Sequence, residues 1–302
     1  GCCGVKVFMG SSTGTLLVAG DGALRAVVAS GSRRFAVHAE DEARLIERKA
    51  IAQTAADVHA HPEWRDPETA VRATRRIVGL AAEAGRPVHV LHVTTAEEME
   101  FLAGHDATIS VEVTPQHLTL VAPECYDDLG TLAQMNPPIR DRRHRDALWA
   151  GVAKGTINVI GSDHAPHTLE EKAGAYPDTP SGMPGVQTLL PVMLDHVNAG
   201  RLTLERLTEL VCANPARLFG IQGKGALIAG KDGDLTIVDL SARREITNEW
   251  IASRCGWTPF HGKMVTGWPI ATVIRGEIVM RDDEVLAAPS GEPLRFAEPE
   301  SP

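Results

Sequence analysis

At positions 159–168 the chain reads VIGSDHAPHT. Two β-branched residues lead into Gly161 and Ser162, then Asp163 and His164, with His167 three positions on. Three other apolar stretches end in a similar way: Lys6 lies in VKVF, His38 in AVHAED and His92 in VLHVTT. Imidazole nitrogens and a carboxylate are the ligands expected of a zinc-type metal ion. A single histidine at a strand end is ordinarily a hydrogen-bonded structural residue. Four ligand-type side chains at the same ends of successive parallel strands carry more weight, because they can converge above one opening. Lys6 is the unusual member, since an ammonium inside an apolar strand loses its hydration. It reads either as a snorkelling or ion-paired lysine, or as an amine that has reacted with CO2. The resulting carbamate is an anionic oxygen ligand able to bridge two metal ions.

The elements that must position these residues follow a rhythm of short apolar strand, polar loop and amphipathic helix. Strands are expected at 4–10, 33–41, 87–95, 107–115 and 157–163, and helices at 22–31, 42–56, 67–85, 96–104, 145–155, 185–200 and 203–220. Strands alternating with helices imply parallel βα units. The expected fold is α/β, a metal-dependent (β/α)8 barrel incomplete at its N-terminus, with a small C-terminal β domain. The barrel is expected over 1–220, the β domain and tail over 221–296 and a disordered tail over 297–302. After Gly220 the chain turns to short strands joined by Gly/Asp turns: 224–241, 271–287 and 291–296.

The totals fit this picture. The chain has 302 residues, suited to a barrel-sized unit with a small appendage. A net charge of −9 makes nucleic acid and anionic membrane poor partners. No apolar run approaches the roughly 20 residues that span a bilayer. The five cysteines are scattered, which points to a reduced, cytoplasmic protein rather than a disulfide framework. The chain opens inside a strand and without Met, so N-terminal sequence is expected to be missing.

The motifs GVKVFMGSSTG, AVHAEDE, VHVLHVTTAEE, VEVTPQHL, MNPPIR, GTINVIGSDHAPHT, EEKAGAYPDTPSGMPGVQT and NPARLFGI, running in this order, resemble those of dihydroorotases in the cyclic-amidohydrolase superfamily. MNPPIR with GSDHAPHT is the most specific pair; hydantoinases, dihydropyrimidinases and allantoinases share the metal residues. The resemblance implies Zn2+, two ions in the intact family, and a small-molecule substrate. It implies that Lys6 is a carboxylated bridging lysine, that His38 and His92 bind the second ion, and that Asp163 binds the first and accepts the proton of the attacking hydroxide. It implies that Asn136 and His167 hold the substrate and that Gly185 offers backbone contacts to the ring amide. The implied activity is interconversion of N-carbamoyl-L-aspartate and (S)-dihydroorotate in pyrimidine synthesis, with a hydantoinase or allantoinase as the alternative. Amide hydrolysis needs hydroxide at neutral pH and stabilisation of an oxyanion, and a metal pair supplies both; Asp163 can then pass a proton to the leaving nitrogen. A homo-oligomer is expected, and a non-catalytic structural partner of a transcarbamoylase is the second class of function.

The family also carries a His-x-His pair and an arginine on its first strand, which should precede Lys6 and do not occur in this chain. DVHAHPEWRD, with His59, His61 and Arg65, offers a tempting substitute. It follows a helix with no strand before it, and we read it as a decoy. His117 and His164 read as structural or loop residues, Glu40 and Asp41 as a helix cap and surface charge, RDRRHRD as a solvated loop and helix start, GSSTG as an active-site loop, and CGWTPFHG as a segment packed beside the barrel.

Overall fold

The computed structural model describes residues 2–12, 16–105 and 107–297. Five strands form one parallel sheet in sequential order: β1 (Val5–Phe8), β2 (Phe35–His38), β3 (Val88–Val90), β4 (Ile109–Val113) and β5 (Val159–Ile160). Among the described residues the sheet is not closed, and β1 and β5 are its edges.

Alternation along each strand divides the sheet into two faces. Val7, Phe35, Val37, Val88, Val90, Val111, Val113 and Ile160 turn one way and share the main core with Leu24, Ala73, Ile77, Met99, Leu148 and Leu194 of the helices. The register keeps them aligned, with Val7 opposite Val37, Val37 opposite Val90 and Val90 opposite Val111. The other face carries Lys6, Ala36, His38, His89, Ser110 and Glu112, which would form the interior of a closed barrel.

The helices largely fall where expected, each with a local reason. Helix Pro67–Glu83 starts on Asp66, whose side chain accepts from the Thr69 amide, and Gly85 beyond its end takes φ +61°. Helix Ala96–Leu102 has a complete capping box of Thr95 and Glu98. The single helix expected over 42–56 is instead two, Glu42–Glu47 and Lys49–Thr54, meeting at Arg48, whose guanidinium bonds the Glu63 carbonyl. The stretch 203–220 widens to π-helix over Glu209–Ala213, just before Pro215, which has no amide hydrogen to donate.

The C-terminal part is an antiparallel sheet of β6 (Leu235–Glu245), β7 (Met264–Ile274), β8 (Glu277–Arg281) and β9 (Glu284–Val285), in that order. It joins the rest through Val192 of helix Leu189–Asn198, which packs with Ile246, Phe260, Val265 and Trp268. The strand expected at 291–296 is a single bridge, Ile221 to Phe296. Of the tail expected to be disordered, 298–302 lie outside the described residues, as do 13–15 of the GSSTG loop. No helix among the described residues is long and apolar enough to cross a membrane.

Candidate metal centre

His38 ends β2 and His92 lies two residues beyond β3, so the neighbouring strands bring the two rings together. His38 Nδ1 stands 3.1 Å from His92 Nε2, and both side chains are buried. The opposite nitrogen of His38, Nε2, lies 2.8 Å from Glu40 Oε2. A carboxylate partner selects the tautomer with hydrogen on Nε2, which leaves the Nδ1 lone pair facing His92. Burial, then His38 and Lys6, push the His92 pKa well below the usual histidine value, so its ring is neutral. Neutral imidazole is the form that binds a metal.

Two of the four residues sit on bent backbone. His92 has φ +37° and Asp163 has φ +40°. For non-glycine residues such values cost about 1–3 kcal/mol and gather at functional sites. Asp163 follows β5 by three residues. Burial raises its pKa, Lys6 opposes this, and Glu112 adds to it. Lys6 shares its face of β1 with Phe8, which pairs with His38, and its Nζ lies 4.7 Å from the Phe8 ring centroid. Its side chain is exposed.

Among the described residues no three His, Cys, Asp or Glu side chains are close enough to hold a metal ion. The donor set nonetheless fits a zinc-type ion in part: two ring nitrogens already face each other, one with its tautomer set by a carboxylate, and Lys6 acts electrostatically on both His92 and Asp163.

The remaining expected residues gather at the same end of the sheet. Asn136 is buried, and its Oδ1 accepts from His61 Nε2 at 3.0 Å. Its Nδ2 is thereby turned outward, 3.4 Å from Ser12 Oγ. His167 is anchored through its carbonyl, which accepts from Trp257 Nε1 at 2.7 Å, while its Nδ1 lies 3.6 Å from Glu171 Oε2. Trp257 belongs to the segment read as packing beside the barrel. The Gly185 amide donates to His164 Nδ1 at 3.1 Å, and a Cβ at Gly185 would collide with the Ser162 carbonyl and the Gln116 amide. His164 is thus a loop clasp. His117 is buried between Thr114 Oγ1 and the Pro137 carbonyl, as a structural histidine.

Two readings need correction. Asp41 does cap its helix, accepting from the Arg44 amide at 2.9 Å, but Glu40 is no surface charge. It is fully buried against His38 and Arg65. Burial alone would raise its pKa, yet Arg65 and His38 hold it at about 2. Its spacing was a usable signal, since i and i+2 on extended chain share a face. The segment 57–66, read as a decoy for the metal ligands, supports the neighbouring side chains. His61 holds Asn136, and Arg65 pairs with Glu40. In RDRRHRD, His144 is buried rather than solvated, accepting from the Ala96 amide at 3.0 Å.

The amidohydrolase family profile matches residues 18–279. This chain belongs to the amidohydrolase family. The amidohydrolase is 41% identical over 286 residues to a dihydroorotase of Halobacterium salinarum, covering 93% of this chain and 66% of that protein. It is 38% identical over 290 residues to a dihydroorotase of Pyrococcus furiosus, covering 95% of this chain and 63% of that protein. The L-hydantoinase (dihydropyrimidinase) structure from Arthrobacter aurescens superposes with a TM-score of 0.89 at 32% identity, over 95% of this chain and 66% of that one. A dihydropyrimidinase from Brevibacillus agri gives 0.87 at 27%, over 94% and 65%. The amidohydrolase chain thus spans about two thirds of the length of these relatives.

Proposed function

We propose that the protein carrying this chain is a zinc-dependent cyclic amide hydrolase, a dihydroorotase that interconverts N-carbamoyl-L-aspartate and (S)-dihydroorotate in pyrimidine synthesis. The observation that carries the reading is the facing pair His38 Nδ1 and His92 Nε2 at 3.1 Å, at the strand exits beside Lys6 and Asp163. The dihydroorotase relatives at 41% and 38% identity support the substrate class. A cytoplasmic home, a homo-oligomeric state or a transcarbamoylase partner, and carboxylation of Lys6 go with it.

His38 and His92 would hold the second ion together with the carbamate oxygens of carboxylated Lys6, and Asp163 would hold the first. When bound, zinc acidifies water and polarises a carbonyl. Asp163, its pKa raised by burial, is suited to hold a proton on its carboxyl and deliver it to the leaving nitrogen. Asn136 directs its Nδ2 hydrogens towards an acceptor oxygen of the substrate, and His167 lines the same opening. Gly185 serves the ring amide once its N–H is released from His164.

The 32% identical L-hydantoinase supports a second reading, a hydantoinase. Zinc-loaded protein assayed in parallel with dihydroorotate and hydantoin separates the two. Turnover of dihydroorotate alone is expected. Turnover of hydantoin alone would transfer the assignment. Zinc binding with neither activity would point to a structural partner.

A further inference from the structure

A metal-binding histidine needs its second ring nitrogen held, because that contact sets both the tautomer and the ring's direction. His38 meets this condition through Glu40, and Glu40 in turn has one strong cationic partner. Arg65 Nη1 donates to the same Oε2 that His38 contacts. Arg65 Nη2 donates to the carbonyl of Ser11, in the loop that leaves β1 after Lys6. The Arg65 carbonyl accepts from Arg140 Nη1 at 3.0 Å, and Arg140 Nε donates to Thr94 Oγ1, two residues beyond His92. One buried guanidinium–carboxylate pair therefore touches the exits of β1 and β2 directly and that of β3 through Arg140. Glu40 is fully buried and Arg65 is 3% exposed, so both charges were taken from water. Such a pair is costly to desolvate and often no more stable than an apolar one, so its presence is not explained by stability.

We infer that Glu40, clamped by Arg65, is a positioning residue for the metal centre: it holds hydrogen on His38 Nε2, aims His38 Nδ1 at the ion, and ties the Lys6 and His38 strand exits together. The inference rests on the zinc reading above. Glu40 touches neither ion nor substrate; it acts through His38.

The test is zinc affinity of the apo chain, by competition with a chromophoric chelator, with cobalt(II) absorption as a second readout. Glu40→Gln is expected to weaken zinc 10- to 100-fold and to alter the cobalt spectrum. Because Glu40→Gln leaves Arg65 buried and unpaired, Glu40→Gln/Arg65→Met is measured beside it. This double variant removes both charges, and it is expected to melt like the wild type while keeping the affinity loss. In a His38→Ala background the Glu40→Gln change should cost nothing further, since residues acting as a unit are not additive. An unchanged affinity in the well-folded double variant overturns the inference. So does an equal loss with and without His38, which would place Glu40 elsewhere. Failure of the wild-type chain to bind zinc at all would overturn the metal reading itself, and this inference with it.

Discussion

His61 Nε2 lies 3.0 Å from Asn136 Oδ1 and 3.1 Å from the Met135 carbonyl. Both partners are acceptors, so the ring is the donor and carries its hydrogen on Nε2. This settles which way the Asn136 amide faces: oxygen inward to His61, nitrogen outward. Burial first, then Arg65, lowers the His61 pKa to about 3, so the ring stays neutral and the arrangement does not change across physiological pH.

His61→Leu should therefore weaken substrate binding more than the chemical step. Without the donor, Asn136 Oδ1 and the Met135 carbonyl lose a partner in a buried place, at about 1–3 kcal/mol each. In the active enzyme KM should rise about tenfold or more, with kcat changed less. Steady-state kinetics check this, and a kcat collapse at unchanged KM would contradict the role given to Asn136.

Asp163→Asn should abolish turnover in the active enzyme while leaving the melting temperature nearly unchanged. The amide keeps the shape but cannot take up a proton. Wild-type turnover in this variant would remove Asp163 from the base role.

Asp66 supplies an acid-side stability term. Burial raises its pKa, but hydrogen bonds from Arg44 and Thr69, with the Arg48 charge, outweigh this and bring it from 3.8 to about 2. The folded value is the lower one, so the stabilisation is complete above about pH 4 and is lost as pH falls towards 2. Asp66→Asn keeps a good helix cap and removes the charge. Urea titrations between pH 2 and 5 should show a shallower pH slope in the variant than in the wild type.

Lys172 gives the opposite end of the scale. Its Nζ donates to the carbonyls of Gln134 and Pro180, pinning the loop after Asp163, and burial lowers its pKa from 10.5 to about 7. The folded chain binds the proton less tightly than the unfolded chain. Its contribution is therefore most favourable above pH 10.5 and declines as pH falls to 7. Lys172→Met should flatten stability against pH across that window and increase proteolysis within 173–184. A pH slope unchanged by the substitution would show that Lys172 is not its source.

Much of the fold was legible because it rests on local pattern. The apolar faces of the five parallel strands follow from alternation, whereas the π-helical turn before Pro215 interrupts the single helix expected over 203–220. The placing of His38, His92 and Asp163 at strand exits was equally readable, since His38 and His92 end their apolar runs and Asp163 follows its own after Gly161 and Ser162. The joint near Arg48 was not, because its partners Glu63 and Asp66 come from another turn.

By itself, the sequence determined the strand–helix alternation, the sheet face that carries the ligand-type residues, and the end at which they gather. Only the tertiary structure decided which groups support them. Glu40 looked like a solvated charge and His61 like a decoy, because a side chain's environment depends on residues distant in the chain. Arg65, 25 positions from Glu40, pairs with it, and Asn136, 75 positions from His61, takes up its hydrogen. Periodicity reports which way a side chain points. Packing alone brings the partner that makes a buried charge tolerable, by replacing the water it has lost.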